Sequence, residues 1–475
     1  MNLGLEGTAK NKGNTEKSAY AGYVGRFNYS YDEKYLAEVA LRYDGSYLFA
    51  KDNRWGFFPS LSLGWVMSKE QFFKDALPKI DYFKLRGSIG EVGNDNVSPF
   101  LYRKNYGFHA GYVAIGGNAQ NTLYNTVSYP MAELTWERVR STDFGFELNA
   151  WKGLLGVEFD VFYKYTYNIL NNISGSYPGS LGGHIPTREN SGEFDNRGFE
   201  LSLRHANRVG NFNYRITGNL SYAHNKILKR KQSANILPWQ SVIGSSIGEY
   251  WGYLTDGLYQ SEEELANAPT FTGVTPRIGD IKYIDYNGDG KISQDDMVKI
   301  GRGISPEMMF ALQFDADWKG FDFSMMFQGA ALCDKQLLGA WANGVIDAGP
   351  LTRPWYGNYD NAPLYLMENS WRPDNTDAEY PRLSASGASH THNYRASDFW
   401  KRNGAYLRLK NVTLGYTLPT TLTRKINLQN VRLYFSASNL LTLTEFKYLD
   451  PESPNAVTGY YPQQRTFAFG IDLTF

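Results

Sequence analysis

"TFAFGIDLTF" (residues 466–475) places Phe467, Phe469, Ile471, Leu473 and Phe475 on one face of an extended chain, and Thr466, Ala468, Gly470, Asp472 and Thr474 on the other. Successive side chains of a strand point to opposite sides, so this period of two is a strand with one apolar face. The pattern recurs in "VEFDVFYKYTY" (157–167), where Val157, Phe159, Val161, Tyr163, Tyr165 and Tyr167 share a face, and in "FELSLRH" (199–205) and "VRLYFSAS" (431–438). Two architectures use such strands. A soluble sandwich turns the apolar face into a core; a membrane barrel turns it toward lipid and lines its lumen with the polar face. Crossing a bilayer takes about 9–11 tilted residues, whereas soluble strands average roughly 5–6. Many segments here run to the longer value, which favours the membrane.

Composition agrees with strands. Aromatic residues make up 16% of the 475, with 35 Tyr, 28 Phe and 47 Gly, a profile of pleated surfaces punctuated by turns. Lys+Arg and Asp+Glu both number 48, so no charge excess points to nucleic acid. The single cysteine, Cys333, excludes an internal disulfide framework and zinc of the CxxC type. No apolar run is long enough for a transmembrane helix, and "MNLGLEGTAKNKGNTEK" lacks the apolar stretch of a secretory leader.

The connections are asymmetric. Tight turns fall at 32–35, 149–156, 206–211, 317–321 and 424–430, separated by much longer polar segments at roughly 94–134, 227–305 and 334–403. Trp-Lys-Gly occurs at two tight turns, Trp151-Lys152-Gly153 and Trp318-Lys319-Gly320. Tryptophan there suits an interfacial girdle, with lysine reaching the headgroups. Short turns on one rim and long loops on the other describe an outer-membrane barrel. The alternation gives about 13 strands from near residue 19 to Phe475, the residue that ends the barrel; single-chain bacterial barrels have even counts and begin in the periplasm. The expectation is therefore an all-β, antiparallel transmembrane barrel portion over 19–475, the C-terminal part of a larger barrel, with 1–18 the tail of a truncated outer loop.

Specific stretches carry a family resemblance: "FKLRGSIGEVGN" (83–94), "LTWERVRSTDFGFEL" (134–148), "NRGFELSL" (196–203), "GDIKYIDYNGDGKISQDD" (279–296), "WRPDNTDAEYPRL" (371–383), "YLRLKNVTLGYTLP" (406–419) and "NLLTLTEFKYLDPE" (439–452). In this order they resemble the C-terminal portion of SusC/RagA-type TonB-dependent transporters of the outer membrane of Bacteroidota-like bacteria, over nearly the whole chain. The resemblance implies import of oligomeric nutrients, usually glycans and sometimes peptides. It also implies a 22-stranded barrel whose plug and first strands lie outside this chain, a SusD-like lipoprotein lid, power from the inner-membrane TonB complex through a segment outside this chain, and no bond-making chemistry.

"DYNGDGKISQDD" (285–296) matches a calcium-loop pattern at Asp285, Asn287, Asp289 and Gly290. Lys291 would offer its carbonyl, Ser293 a direct or water-bridged oxygen, and Asp296 the closing carboxylate, where a longer Glu is usual. The flanks "DIKYI" and "MVKIG" do not read as helices, so the expectation is an isolated structural Ca2+ loop bracing 227–305; the bland alternative is a metal-free Asx/Gly turn. "GSSIG" (244–248) around Ser246 lacks the strand-turn-helix of a nucleophile elbow, and His390 and His392 lack a third ligand. The aromatics Trp239, Trp251, Trp341, Trp355, Tyr356 and Trp371, set in polar loops with Tyr250, Tyr359 and Tyr365, are candidates for contact with substrate or lid; packing within the loops is the competing role. Two other functions compete with the transporter: a secreted or surface β-rich glycan-binding module with a calcium-stabilised loop, and a passive porin-like pore.

Overall fold

A computed structural model describes residues 18–104, 129–173, 180, 186–233, 235–337, 364, 368–383, 392–393, 395–446, 449–453 and 463–475, together with the backbone of 107–115 and 118–124. Thirteen strands form one antiparallel sheet, with neighbours in chain order throughout. They are β1 (Tyr20–Tyr31), β2 (Tyr35–Ser46), β3 (Trp55–Trp65), β4 (Ile80–Asn94), β7 (Glu137–Ala150), β8 (Leu155–Asn172), β9 (Arg188–Val209), β10 (Phe212–Lys229), β15 (Met308–Trp318), β16 (Phe321–Ala331), β19 (Tyr406–Thr417), β20 (Asn430–Thr444) and β21 (Thr466–Thr474). The remaining strands belong to connections: β5 (Gly107–Ile115) with β6 (Asn118–Tyr124), β11 (Tyr250–Gly252) with β14 (Val298–Gly301), β12 (Thr255–Leu258) with β13 (Ile281–Tyr283), and β17 (Asp334–Gln336) with β18 (Lys401–Asn403).

The expected segregation of connections holds. Along one rim run 32–34, 66–79, 151–154, 210–211, 319–320 and 418–429; along the other run 47–54, 95–136, 173–187, 230–307, 332–405 and 445–465. The second rim carries two long connections, 173–187 and 445–465, beyond those the sequence singled out. Turn chemistry explains the short rim. Lys319 and Gly320 both adopt positive φ, 46° and 92°, the left-handed pair that a two-residue hairpin of this twist requires. Asp32 and Glu33 do the same at 52° and 50°. The connection 66–79 holds helix α1 (Gln71–Ala76), and 418–429 holds a helical turn, Thr420–Thr423.

Register makes the sheet oblique. Direct partners run Tyr35, Trp65, Leu85, Phe146, Phe159, Leu201, Leu220, Phe310, Gly329, Leu407 and Leu443. This row starts at the short-connection end of β2 and reaches the long-connection end of β20. Such stagger accompanies strand tilt in barrels. The row also separates the faces. The apolar face leaves Val39, Leu61, Leu63, Phe144, Val161, Leu312, Leu414 and Ile471 at 36–63% exposure, whereas Glu147, Glu158, Ser202, Asn219, Ala311, Gln328 and Arg408 succeed one another on the opposite face.

The larger hydrophobic cluster is not in the sheet. It lies under the long connections, where Tyr253, Phe271, Ile281, Tyr283, Ile292, Leu337, Tyr380, Trp400 and Phe446 are buried together. A second cluster, Phe49, Phe58, Met131, Leu134 and Trp136, closes the same rim nearer β3. In refolding into lipid vesicles, Phe159→Arg on the apolar row is expected to cost about 2–4 kcal/mol, and Asn219→Arg on the polar row much less. Equal costs would overturn the assignment of faces.

Candidate functional site

Two surfaces can meet a solute: the polar wall of the sheet and the folded connections above it. On the wall, Glu147 faces Glu158 and Asp160 faces Glu200 as direct cross-strand partners. Like charges so placed repel. Arg86 relieves half of this, its guanidinium 2.8 Å from Glu147 and 2.5 Å from Asp160, with Lys84 3.5 Å from Glu147. Glu158 and Glu200 open onto a cavity of about 490 Å³ shared with Ser202, Asn219, Ser221 and Gln328. Its lining also includes Leu201, Leu220, Met309, Phe310, Met326 and Tyr406, so apolar surface predominates beside these acceptors and amides.

Near the mouth, a charged knot ties the connection 445–465 to this wall. Arg408, 2% exposed, donates to Asp450 at 2.7 Å and to Thr442 at 3.0 Å and lies 3.1 Å from Glu452. Tyr406 and Lys410 also reach Glu452, at 3.1 and 3.2 Å, and Lys335 donates to the Ser453 carbonyl.

The connections 230–307 and 332–405 are stitched by a second buried polar node. Asp280, fully buried, accepts from Arg382 Nε and Asn393 Nδ2, both at 2.9 Å, and from the Arg277 amide at 2.8 Å. Asn393 accepts from the Ile281 amide at 2.9 Å and its carbonyl takes the Trp400 indole at 2.8 Å. Tyr283 donates to the His392 carbonyl at 2.6 Å, and His392 Nε2 donates to the Ile281 carbonyl at 2.7 Å. Burial pushes the His392 imidazole below its ordinary value. Asp280, Arg395 and Tyr283 are the charged or titratable groups around it, and Arg395 stacks 3.6 Å over Phe271. Asp280 and Arg382 lie in two of the family-like stretches, but nothing in the sequence pairs them with each other or with Asn393; folding brings the three together.

The calcium-like segment closes on itself. Asp285 accepts from the amides of Gly288, Asp289 and Gly290 at 2.7–3.2 Å, Asn287 from Asp289 and Asp289 from Lys291, both at 2.9 Å. Asp296 is fully buried and accepts from the amides of Tyr286, Asn287 and Ser293 at 2.7–3.2 Å. Its carboxylate therefore holds the loop's ends together. Gly288 and Gly290 have φ of 76° and 83°, which other residues adopt at a cost. The flanks are strands β13 and β14 on either side of a helical turn (Gln294–Asp296), without the paired helices of a sensor. Among the described residues no group of three or more His, Cys, Asp or Glu side chains is arranged to hold a metal. Ile292 anchors the loop in the core.

The loop tryptophans take packing positions. Trp239 donates to the Asp295 carbonyl at 2.8 Å and lies edge-on to Tyr286 at 5.5 Å. Trp371 donates to Gln260 at 3.3 Å and covers Gly279, where a Cβ would come within 2.4 Å of the indole. Trp251 sits in β11 opposite Lys299. All three are half-buried. Trp341, Trp355, Tyr356, Tyr359, Tyr365 and His390 lie outside the described residues. Trp318 ends β15 at the short rim, 49% exposed, with Lys319 5.3 Å over its ring. Trp151, 51% exposed, adjoins a rim cavity of about 800 Å³ with Lys152 and Arg208. Phe475 is 81% exposed beyond β21. Ser246 donates to the Asn225 carbonyl at 2.6 Å from a turn, and no helix follows it. Cys333 is buried, and burial pushes its thiol up.

Comparison with known proteins adds the following. The family model described as "TonB dependent receptor-like, beta-barrel" matches residues 3–298. TonB-dependent receptor P3 of Formosa agariphila is 30% identical over 487 residues, covering 95% of this chain and 45% of that protein. TonB-dependent receptor SusC of Bacteroides thetaiotaomicron is 28% identical over 486 residues, covering 97% and 45%. The chain thus spans about half the length of these relatives. The RagAB peptide importer in its open-open state superposes with a TM-score of 0.72 at 22% identity, over 96% of this chain and 47% of that one, a likeness of fold.

Asp280→Ala removes the buried acceptor of part-exposed Arg382, of Asn393 and of the Arg277 amide, and is expected to destabilise the connections by about 1–3 kcal/mol. Hydrogen exchange should quicken over 280–296 and 392–400 but not in β7–β10; uniform quickening would refute a separate loop unit. The same unit should weaken with acid. His392 is held below its ordinary value of 6.5, so the unfolded segment binds the proton more readily; stability is full above about pH 6.5 and falls as pH drops below it. Exchange corrected for intrinsic rates should rise over 281–283 at low pH, and His392→Gln should flatten that dependence.

Proposed function

The chain belongs to the TonB-dependent receptor-like β-barrel family, and on that premise we propose that it forms the wall and outer loops of an outer-membrane importer of oligomeric nutrients. The observation that carries this reading is the β2–β3 surface. Tyr35 stacks on Trp65 at the short rim, with ring centroids 6.3 Å apart, and Tyr43 on Trp55 at the long rim, 4.9 Å apart. Between them lie exposed Val39, Leu41, Leu61 and Leu63. Tyr35 and Tyr43 are eight residues apart, about 26 Å along a strand and about 20 Å across a bilayer at barrel tilt, near the ~25 Å apolar band such barrels present. A soluble glycan-binding module would cover that face, so the exposure favours the membrane over it.

Ligand enters, in this reading, between the folded connections and a SusD-like lipoprotein, and passes the polar wall when the TonB complex acts on a part of the protein outside this chain. Glycans are the substrate class we favour. The wall's amides and carboxylates suit hydroxyls, and half-exposed Trp239, Trp251 and Trp371 can each turn one ring face to a sugar or to the lid. The relative with peptide-importer structures makes peptides the alternative cargo. Energised uptake separates import from a passive pore. Cells carrying the intact protein should take up a fluorescent oligosaccharide, and loss of the TonB complex should abolish uptake; undiminished uptake without it would leave only the pore.

We also propose that Ca2+ adds to the bracing of the 285–296 loop, through the side chains of Asp285, Asn287 and Asp289 and the Lys291 carbonyl. The support is the alternate spacing of these oxygens around Asp285. Buried Asp296 contributes by accepting from the Tyr286, Asn287 and Ser293 amides, which closes the loop. Calorimetric titration of the intact protein should show saturable calcium heat that Asp289→Ala abolishes. Heat absent from the unmodified protein, or unchanged in the variant, would assign the loop to hydrogen bonding alone.

A further inference from the structure

The rim of short connections carries a charge pattern that import does not use. Four connections each pair exposed apolar side chains with cations. Helix α1 and its exit present Phe72 and Leu77, 57% and 46% exposed, beside Lys74 and Lys79. The β7–β8 turn sets Trp151 before Lys152, and the β15–β16 turn encloses Lys319 between Trp318 and Phe321. After the helical turn Thr420–Thr423, which exposes Leu422 at 53%, come Arg424 and Lys425.

Among the described residues none of these six cations has a carboxylate partner. Five acids of the same rim are met by cations, whereas Asp75, Asp81 and Asp317 accept from neutral groups and keep their charge. Glu33 meets Lys69; Asp32 and Glu70 meet Lys34; Asp75 accepts from Gln71, and Asp81 from the Gly153 amide. Asp322 and Asp472 share Arg432. Neighbouring connections also touch, since the Trp151 amide donates to the Lys79 carbonyl at 2.9 Å and the Thr417 amide to the Gly320 carbonyl at 2.8 Å. Six cations thus stand against three acids without a charged partner, which leaves the rim a positive excess beside its exposed apolar side chains.

We propose that this rim binds anionic phospholipid headgroups of the leaflet that faces the short connections. The inference rests on the membrane-spanning reading of the sheet. Apolar side chains set the depth, and the long stems of Lys and Arg bring their charges to the phosphate level. Unpaired cations there gain from a negative surface more than from zwitterionic lipid. Salt bridges within the rim would have cancelled that gain, and for Lys34 and Lys69 they do.

The test uses the intact protein, delipidated in detergent, with phosphatidylglycerol and phosphatidylcholine as probes and retained lipid counted by native mass spectrometry. Phosphatidylglycerol should be retained about tenfold more strongly, with the preference shrinking as salt rises. Replacing Lys152, Lys319 and Lys425 together by Gln should remove the preference, and replacing them by Arg should keep it. Neutralising Lys51 and Lys104 on the opposite rim should leave it intact. Equal retention of both lipids, or a preference untouched by salt and by the Gln variant, overturns the proposal. If the Gln variant does not fold, the salt series on the unmodified protein decides. Should the protein refold as a soluble monomer without detergent, the membrane reading itself falls, an outcome distinct from insertion without lipid preference.

Discussion

The backbone ladder from β1 to β21 is the constraint on which the rest depends. In hydrocarbon no water is present to satisfy an N–H or C=O, so a spanning chain must pair each strand with the next along its length. Every sheet neighbour here is a chain neighbour or the next strand beyond a folded connection. The register climbs steadily from the short rim at Tyr35 to the long rim at Leu443. That climb tilts the strands, and the tilt lets 9–22-residue strands meet one apolar band while the longest, β8, β9 and β10, extend beyond it.

Inverting the usual arrangement follows from the solvent. A sheet whose apolar face meets lipid has no need of a core of its own, and its exposed Leu, Val and Phe cost nothing there. The connections on the long rim stand in water and must bury their own apolar surface. They do so in the cluster around Tyr253, Phe271, Tyr283 and Trp400, which draws on three separate connections. Two buried charges are answered within these connections: Asp280 by Arg382 and Asn393, Arg408 by Asp450 and Glu452. Such pairs add little net stability but are costly to break, which favours one arrangement of the loops over others.

The calcium-like loop illustrates how a motif can be legible and its role still depend on surroundings. The spacing of Asp285, Asn287, Asp289 and Gly290 correctly marks a tight turn with inward side chains. Asp296, read as a metal arm, locks that turn: the Tyr286 and Asn287 amides reach it from the far end of the loop and the Ser293 amide from its own end. The tryptophans fared similarly. Composition marked Trp239 and Trp371 as unusual in polar loops, but their partners, the Asp295 carbonyl and Gly279, come from segments that only folding brings near.

By itself the sequence determined the strand faces, the number of barrel strands, the alternation of short and long connections, and the positions of Trp151 and Trp318 at short turns. All are local properties, set by a period of two and by turn residues that fix φ. Tertiary structure alone decided the stagger that tilts the sheet, the shared core of the connections, the Asp280 and Arg408 knots and the positive excess on one rim. Each of these depends on residues tens to more than a hundred positions apart, and no local pattern records which of them will meet.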